Sequence, residues 1–236
     1  MNIDNIDIIV LFGPPGTGKG TLAQKCVIDL GWKHISAGSL CRKYSSDETE
    51  IGKKIMSKIN NGYYIDDDLI LEIIKKSFND FYKNKNHYSK TLILDGFPRN
   101  NNQIDLFLNF LNKENIKYSF FVVLLEAPDE IVIDRLKNRL ICCNKDCDFV
   151  YSSLKEKIII CKKCKSKLIK RIDDEENSIS VRLNNFHKIK RGLVDFLNKK
   201  LINNFLLDAS VSSFSVFEFF IKKFKNFKNN SSLNKI

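Results

Sequence analysis

No stretch of this 236-residue chain stays apolar for the roughly 20 residues that a membrane-crossing helix needs. Residues Met1 to Asp7 are polar and acidic, without the hydrophobic centre of a secretory leader. Both absences predict an intracellular protein, cytoplasmic or housed in an organelle such as the mitochondrion, with no membrane partner. Internal repeats of useful length are missing too, which excludes solenoids and propellers. The basic residues are not interleaved with aromatics as a single-strand nucleic-acid platform requires, so no nucleic-acid partner is expected.

What is present points elsewhere. Lys and Arg number 39 against 28 Asp and Glu, a formal charge of +11. That sign suits nucleic acid, an acidic surface, or an enzyme gripping polyphosphates. Apolar content of 43% and this length suffice for one sizeable core plus a small insertion. Of the seven cysteines, five fall between Cys142 and Cys164, a clustering that in an intracellular protein suggests metal rather than disulfides.

The most informative stretch is Ile8-Ile9-Val10-Leu11-Phe12 followed by Gly13-Pro14-Pro15-Gly16-Thr17-Gly18-Lys19-Gly20-Thr21. A β-branched apolar run reads as a buried strand, and the spacing of Leu22, Ala23, Cys26, Val27 and Leu30 reads as a helix. Between them, glycines let backbone N–H groups turn inward, toward the point at which the new helix aims its own unsatisfied amides. Such a hollow holds phosphate. Lys19 supplies a cation for the β- and γ-phosphates and Thr21 a hydroxyl for the accompanying magnesium. In the common form of this motif Ser or Thr follows the lysine directly, whereas here Gly20 intervenes.

Downstream, helical spacing recurs over 47–61, from Asp66 to about Tyr82, from about Asn102 to Lys113, after Pro128, from Ser178 to about Lys200 and from about Ser213. Between these lie candidate strands at 34–36, 91–95, 118–126 and 205–208. Alternating strands and helices argue for a parallel sheet with helices on both faces. Residues 140–174 break the rhythm and read as an inserted lobe, and 221–236 as a basic, flexible tail. Arginines stand at element ends, at Arg42, Arg99, Arg135, Arg139, Arg171 and Arg182, where a phosphoryl-transfer enzyme needs positive charge. Asp95 ends a buried strand facing the phosphate loop, which suits a water-mediated hold on magnesium. Gln103 offers a donor and an acceptor that match an edge of adenine. Asp173 and Asp174 read as a helix cap that can also serve a hinge.

The loop variant Gly-x-Pro-Gly-x-Gly-Lys-Gly-Thr resembles the adenylate kinase branch of the nucleoside monophosphate kinases. So do Ser36-Ala37-Gly38-Ser39-Leu40-Cys41-Arg42, Leu94-Asp95-Gly96-Phe97-Pro98-Arg99, Asp134-Arg135-Leu136-Lys137-Asn138-Arg139 and Arg171-Ile172-Asp173-Asp174, in that order. The resemblance covers nearly the whole chain. It implies a P-loop core (1–36, 66–139 and 175–220), a helical monophosphate-binding segment (37–65) and a lid (140–174), in a monomer.

It also implies roles for individual residues. Ala37, Arg42, Tyr63, Tyr64, Ile65, Gly96, Phe97, Pro98, Arg99 and Gln103 would hold AMP, with Arg171 and Arg182. Gly16, Thr17, Gly18, Lys19, Gly20, Thr21, Arg135, Arg139, Val150, Tyr151 and Val211 would hold the triphosphate, ATP or GTP. Lys19, Arg99, Arg139, Arg171 and Arg182 would carry catalysis. Two positions depart from the family pattern: Ala37 stands where Thr is frequent, as in uridylate and cytidylate kinases, and Ser39 replaces an acidic residue. Ala37 makes a UMP/CMP kinase one alternative within the class; a GTP:AMP phosphotransferase is another, because the resemblance implies a donor base read largely by backbone groups that sequence does not expose.

Within the lobe, Cys161-Lys162-Lys163-Cys164 has the gap of a zinc knuckle, and Cys142 or Cys143 with Cys147 supplies a second pair. The lobe resembles the zinc-bearing lid of some bacterial adenylate kinases, and counting from Arg139 favours Cys142. A structural zinc would keep this small lobe one body as it swings. Outside the enzyme class, a nucleic-acid-binding zinc module on a nucleotide-sensing core is the rival reading.

Overall fold

The computed structural model describes residues 5–45, 49–61, 63–83, 89–144, 147, 149–152, 159–171 and 174–233. The elements run β1 (Ile6–Phe12), α1 (Lys19–Leu30), β2 (Lys33–Ser36), α2 (Ala37–Ser45), α3 (Glu50–Asn60), α4 (Asp67–Lys83), β3 (Thr91–Asp95) and α5 (Asn101–Lys113). They continue with β4 (Tyr118–Glu126), α6 (Asp129–Lys137), β5 (Arg139–Cys142), β6 (Val150–Ser152), β7 (Leu168–Lys170), α7 (Glu176–Lys199), β8 (Asn203–Asp208) and α8 (Ser213–Leu233).

All seven residues of β1 are buried because it lies mid-sheet, between β3 and β4 in the order β2-β3-β1-β4-β8. Every pairing in that sheet is parallel, so both faces must be covered by helices. The two-residue side-chain period divides the core accordingly. Ile6, Ile8, Val10 and Phe12 join Leu92, Leu94, Val122 and Leu124 under α4, α5 and α7. Ile9 and Leu11 join Ile93, Val123 and Leu125 on the other face, beneath α1 and α8. Each fully buried side chain of this size contributes roughly 1.5–3 kcal/mol, so the alternation also fixes the register.

Thr49 caps α3, its hydroxyl accepting from Gly52 N–H at 3.0 Å, and α1 stops at Gly31, whose φ of 67° suits glycine. Residues 37–45, which carry Arg42, are helical from the first residue after β2. The lobe is a three-stranded antiparallel sheet in the order β6-β5-β7. Of the apolar run at Lys157 to Ile160, residues 157 and 158 lie outside the described set, and Ile160 bridges Lys167.

The segment expected as a flexible tail, 221–236, is described as far as residue 233, and there it is helical. Helix α8 continues through it to Leu233, burying Val216, Phe217, Phe220 and Phe224 at helical spacing. Trp32 meets Phe220 and Phe224 edge-on, at 6.0 and 5.3 Å between centroids. Lys228 reaches Asp7 at 2.6 Å, tying the helix to the start of β1. The Lys and Asn content of this segment hid a phenylalanine stripe that only the sheet gives a reason to exist. Among the described residues, no helix is long and apolar enough to cross a membrane.

Candidate functional site

The loop after β1 and the end of β3 open at the carboxyl edge of the sheet, where open parallel sheets bind ligands. A cleft of about 560 Å³ lies there, floored by Gly16, Thr17, Gly18, Lys19, Gly20 and Thr21. The loop keeps its course through two close approaches. A Cβ on Gly13 would sit 2.5 Å from the carbonyl oxygen of Leu125, and one on Gly16, at φ 85°, 2.8 Å from that of Val132. The Thr17 hydroxyl donates to Pro14 O at 2.9 Å, inside the loop rather than into the cleft. Lys19 Nζ donates to Gly13 O and Pro14 O at 2.8 and 2.7 Å, which folds the side chain back over the loop. Burial, with Arg99, Arg182 and Arg139 adding to it against the opposing pull of Asp95, pushes the Lys19 pKa down to about 7.

Asp95 closes β3 beside the loop. Its Oδ2 would lie 3.5 Å from a Cβ on Gly20, so the glycine after the lysine is where α1 and Asp95 meet. His34 Nε2 stands 3.8 Å from the same oxygen. Burial acts to raise the Asp95 pKa, but His34, Lys19 and Arg99 outweigh it and hold the carboxyl below its ordinary value. It is an anion set among cations.

The arginines surround this floor. Arg135 donates to the carbonyls of Ala209, Ser210 and Val211 at 2.6, 3.2 and 3.4 Å, which fixes its plane along the cleft wall beside Val211. Arg139 grips Asp174 with two donors, through Nε at 2.6 Å and through Nη2, and Arg182 reaches the same carboxylate at 3.2 Å. These three side chains are 14%, 6% and 14% exposed, so one buried carboxylate holds two clamp arginines at the cleft. Asp174 is therefore no helix cap. The cap of α7 is Glu175, without a side-chain bond, and Asp173 lies outside the described residues.

A second, smaller hollow opens from the cleft, lined by Ala37, Tyr63, Ile65 and Gln103 among others. Gly38, Arg42, Tyr64, Gly96, Arg99, Arg171 and Arg182 border both spaces, so the two meet at four arginines. Arg42 donates to Ser39 Oγ at 3.1 Å. Arg99 donates from Nε to Gly96 O at 2.7 Å and its guanidinium stacks 4.9 Å above the Tyr64 ring. Gln103 Oε1 accepts from Arg99 N–H at 2.7 Å and its Nε2 donates to Asp67 at 2.7 Å. The amide is thus locked, with one of its two Nε2 hydrogens accounted for by Asp67.

Pro98 borders the cleft, whereas Phe97, expected among the AMP contacts, borders neither space. Its ring is fully buried against Phe107 at 5.6 Å, because the apolar side chain has α5 to pack on. Val150 and Tyr151 bring the lobe to the cleft wall. Two residues, His34 and Asp67, escaped the sequence reading, as did the pairing of Asp174 with Arg139 and Arg182. Asp67 was visible only as an acid in a first turn, yet Asn100, Asn102 and Gln103 all donate to it. Burial acts to raise its pKa, and these bonds together hold it below its ordinary value.

Cys142, Cys147, Cys161 and Cys164 converge, all four Sγ atoms lying within 4.8 Å of one another. Cys142 and Cys164 are 3.2 Å apart, Cys147 and Cys161 3.7 Å. Tetrahedral zinc with bonds of about 2.3 Å needs edges of about 3.8 Å, so the four thiols fit a metal. Cys143 is exposed and outside the group; the choice between the two adjacent cysteines falls on Cys142.

Comparison with known proteins agrees with this geometry. Residues 11–202 match the family model described as adenylate kinase. An adenylate kinase of Wolbachia sp. subsp. Drosophila simulans (strain wRi) is 38% identical over 207 residues, covering 87% of this chain and 92% of that protein. One from Mycoplasmopsis pulmonis (strain UAB CTIP) is 39% identical over 193 residues, 80% of this chain and 86% of the relative. A third, from Borrelia turicatae (strain 91E135), is 36% identical over 208 residues, 86% and 91% of the two chains.

Proposed function

The chain belongs to the adenylate kinase family, and from that premise we propose how its cleft carries out the family's reaction and on which nucleotides. It is a nucleoside monophosphate kinase, a phosphotransferase that moves the γ-phosphoryl group of a nucleoside triphosphate reversibly to AMP. The observation that carries the assignment of roles is the shared wall: two hollows, one on the phosphate loop and one behind Arg99, meet at Arg42, Arg99, Arg171 and Arg182. Two polyanions placed there meet end to end among fixed cations, which is the arrangement phosphoryl transfer demands.

In this reading the loop from Gly16 to Thr21 cradles the triphosphate, and Lys19 follows its terminal phosphates. The base lies between the Arg135 plane and the walls at Val150, Tyr151 and Val211. ATP is the proposed donor and GTP the alternative. AMP sits behind Arg42, Tyr63, Tyr64, Ile65 and Arg99, with Gln103 toward its base. Ala37 offers no hydroxyl there, which keeps UMP or CMP as the second reading. Lys19, Arg99, Arg139, Arg171 and Arg182 stabilise the moving charge, and the lobe excludes water. Magnesium travels with the nucleotide and neutralises phosphate oxygens when bound, with Thr21 and, through water, Asp95 as its holders. Zinc is the metal proposed for the four cysteines, where it would cross-link the lobe.

The test is diphosphate formation from AMP, UMP, CMP and GMP, each against ATP and GTP. AMP with ATP is expected to turn over fastest. A preference for a pyrimidine monophosphate would overturn the acceptor assignment.

A further inference from the structure

The lobe carries one side chain with two environments. Tyr151 lies on β6, where it pairs with Leu140 of β5, and its side of the strand helps to line the triphosphate cleft. Its hydroxyl points the other way, into the cysteine cluster. Tyr151 Oη lies 3.4 Å from Cys161 Sγ and accepts from Lys162 N–H at 2.8 Å. The amide takes one lone pair of the oxygen and leaves the hydroxyl hydrogen available to sulfur; with a protonated cysteine either atom of the pair can donate, whereas with a thiolate only the hydroxyl can. A thiolate bound to metal is the better acceptor, so the bond strengthens when the four cysteines are metallated.

The rest of the lobe makes the connection short. β5 begins at Arg139, which borders the cleft, and ends at Cys142, a member of the cluster. β6 brings Val150 and Tyr151 alongside. The turn from Cys161 to Ser166 is closed by Cys161 N–H to Ser166 O at 2.8 Å and Lys165 N–H to Cys161 O at 2.9 Å. The Cys161 turn and the Tyr151 side chain are thus joined by direct contacts, Oη to Cys161 Sγ at 3.4 Å and Lys162 N–H to Oη at 2.8 Å.

We propose that Tyr151 is a positioning residue that couples metal occupancy of the four-cysteine cluster to triphosphate binding, through its hydroxyl on Cys161 and Lys162 and its ring at the cleft. The inference rests on the reading of that cleft as the triphosphate site. Coupling of this kind is reciprocal: metal tightens the nucleotide, and nucleotide raises the affinity for metal by the same factor, which is expected to show as slower metal release.

The experiment follows zinc release from protein purified with its metal, using a chromophoric chelator. Release is measured without nucleotide and with a saturating non-hydrolysable ATP or GTP analogue, for wild type, Tyr151→Phe and Cys143→Ser. Nucleotide is expected to slow wild-type release about fivefold or more, within the usual range of coupling. Tyr151→Phe, which keeps the ring, should lose zinc about tenfold faster, as second-shell changes do, and lose most of the protection. Its KM for triphosphate should rise while kcat and the KM for AMP hold, the latter also reporting an intact core. Cys143→Ser should behave as wild type.

Equal protection in Tyr151→Phe and wild type would overturn the coupling while leaving the cleft assignment standing. Calorimetry showing no triphosphate binding to wild type would overturn both. Protein isolated without metal would remove the cluster's proposed occupant and the coupling with it.

Discussion

Lys19 offers a quantitative consequence of the cleft's electrostatics. In the nucleotide-free protein its pKa is pushed down from 10.5 to about 7, chiefly by burial. At pH 8 such an amine is about nine-tenths neutral, and a polyphosphate that needs the ammonium must draw the proton in, so binding takes up about 0.9 proton per site. Affinity for the triphosphate should accordingly fall by up to about tenfold per pH unit between pH 7 and the bound-state pKa. Stability runs the other way: the unfolded chain holds this proton up to pH 10.5, so between pH 7 and 10.5 the group makes the free protein more stable as pH rises. The assay is calorimetry of a non-hydrolysable Mg-triphosphate at pH 8 in buffers of different ionisation enthalpy, whose slope counts protons. Wild type should show an uptake near 0.9 that Lys19→Met abolishes. An uptake below about 0.2, or one unchanged in the variant, would refute this account of the phosphate loop.

Asp174→Asn should leave Arg139 and Arg182 without their shared carboxylate; a stability loss of about 3–5 kcal/mol is expected for one partner of a buried pair, with kcat lowered more than either KM. Full activity would show that Asp174 does not position them. Gly13→Ala forces a Cβ to 2.5 Å from Leu125 O and should cost about 1–3 kcal/mol by overpacking. A thermal midpoint equal to wild type would contradict that close approach. Phe224→Ala should cost about 3–5 kcal/mol as a core cavity; a loss under 0.5 kcal/mol would restore the view of a loose tail.

Local features of the sequence reached far because most of the fold is local pattern. β1 and β4 declare themselves by the unbroken apolar stretches from Ile8 to Phe12 and from Phe120 to Leu125, and the glycines of the phosphate loop stand where a strand must turn into a helix. The arginines were singled out by the motifs that carry them more than by position: Arg99 follows β3 and Arg139 opens β5, whereas Arg42, Arg135 and Arg182 lie within α2, α6 and α7. What escaped depends on partners distant in sequence. Phe224 looks like part of a Lys-rich tail until Trp32 and Phe121 are set against it. Asp174 looks like a helix cap until Arg139, 35 residues earlier, closes on it. Phe97 sits within a motif of contact residues but faces α5, and nothing in a linear reading distinguishes its direction from that of Pro98.

The central claim is that one cationic cleft sets the γ-phosphate of a triphosphate against the phosphate of AMP. Its most direct measurement is diphosphate formation from AMP and Mg-triphosphate by wild type and by Lys19→Met, with the fold of both verified by circular dichroism. The account predicts turnover in wild type and a loss of at least a hundredfold in the variant, about 2.7 kcal/mol of transition-state stabilisation. Undiminished turnover by Lys19→Met, or none by wild type with any donor, would contradict it.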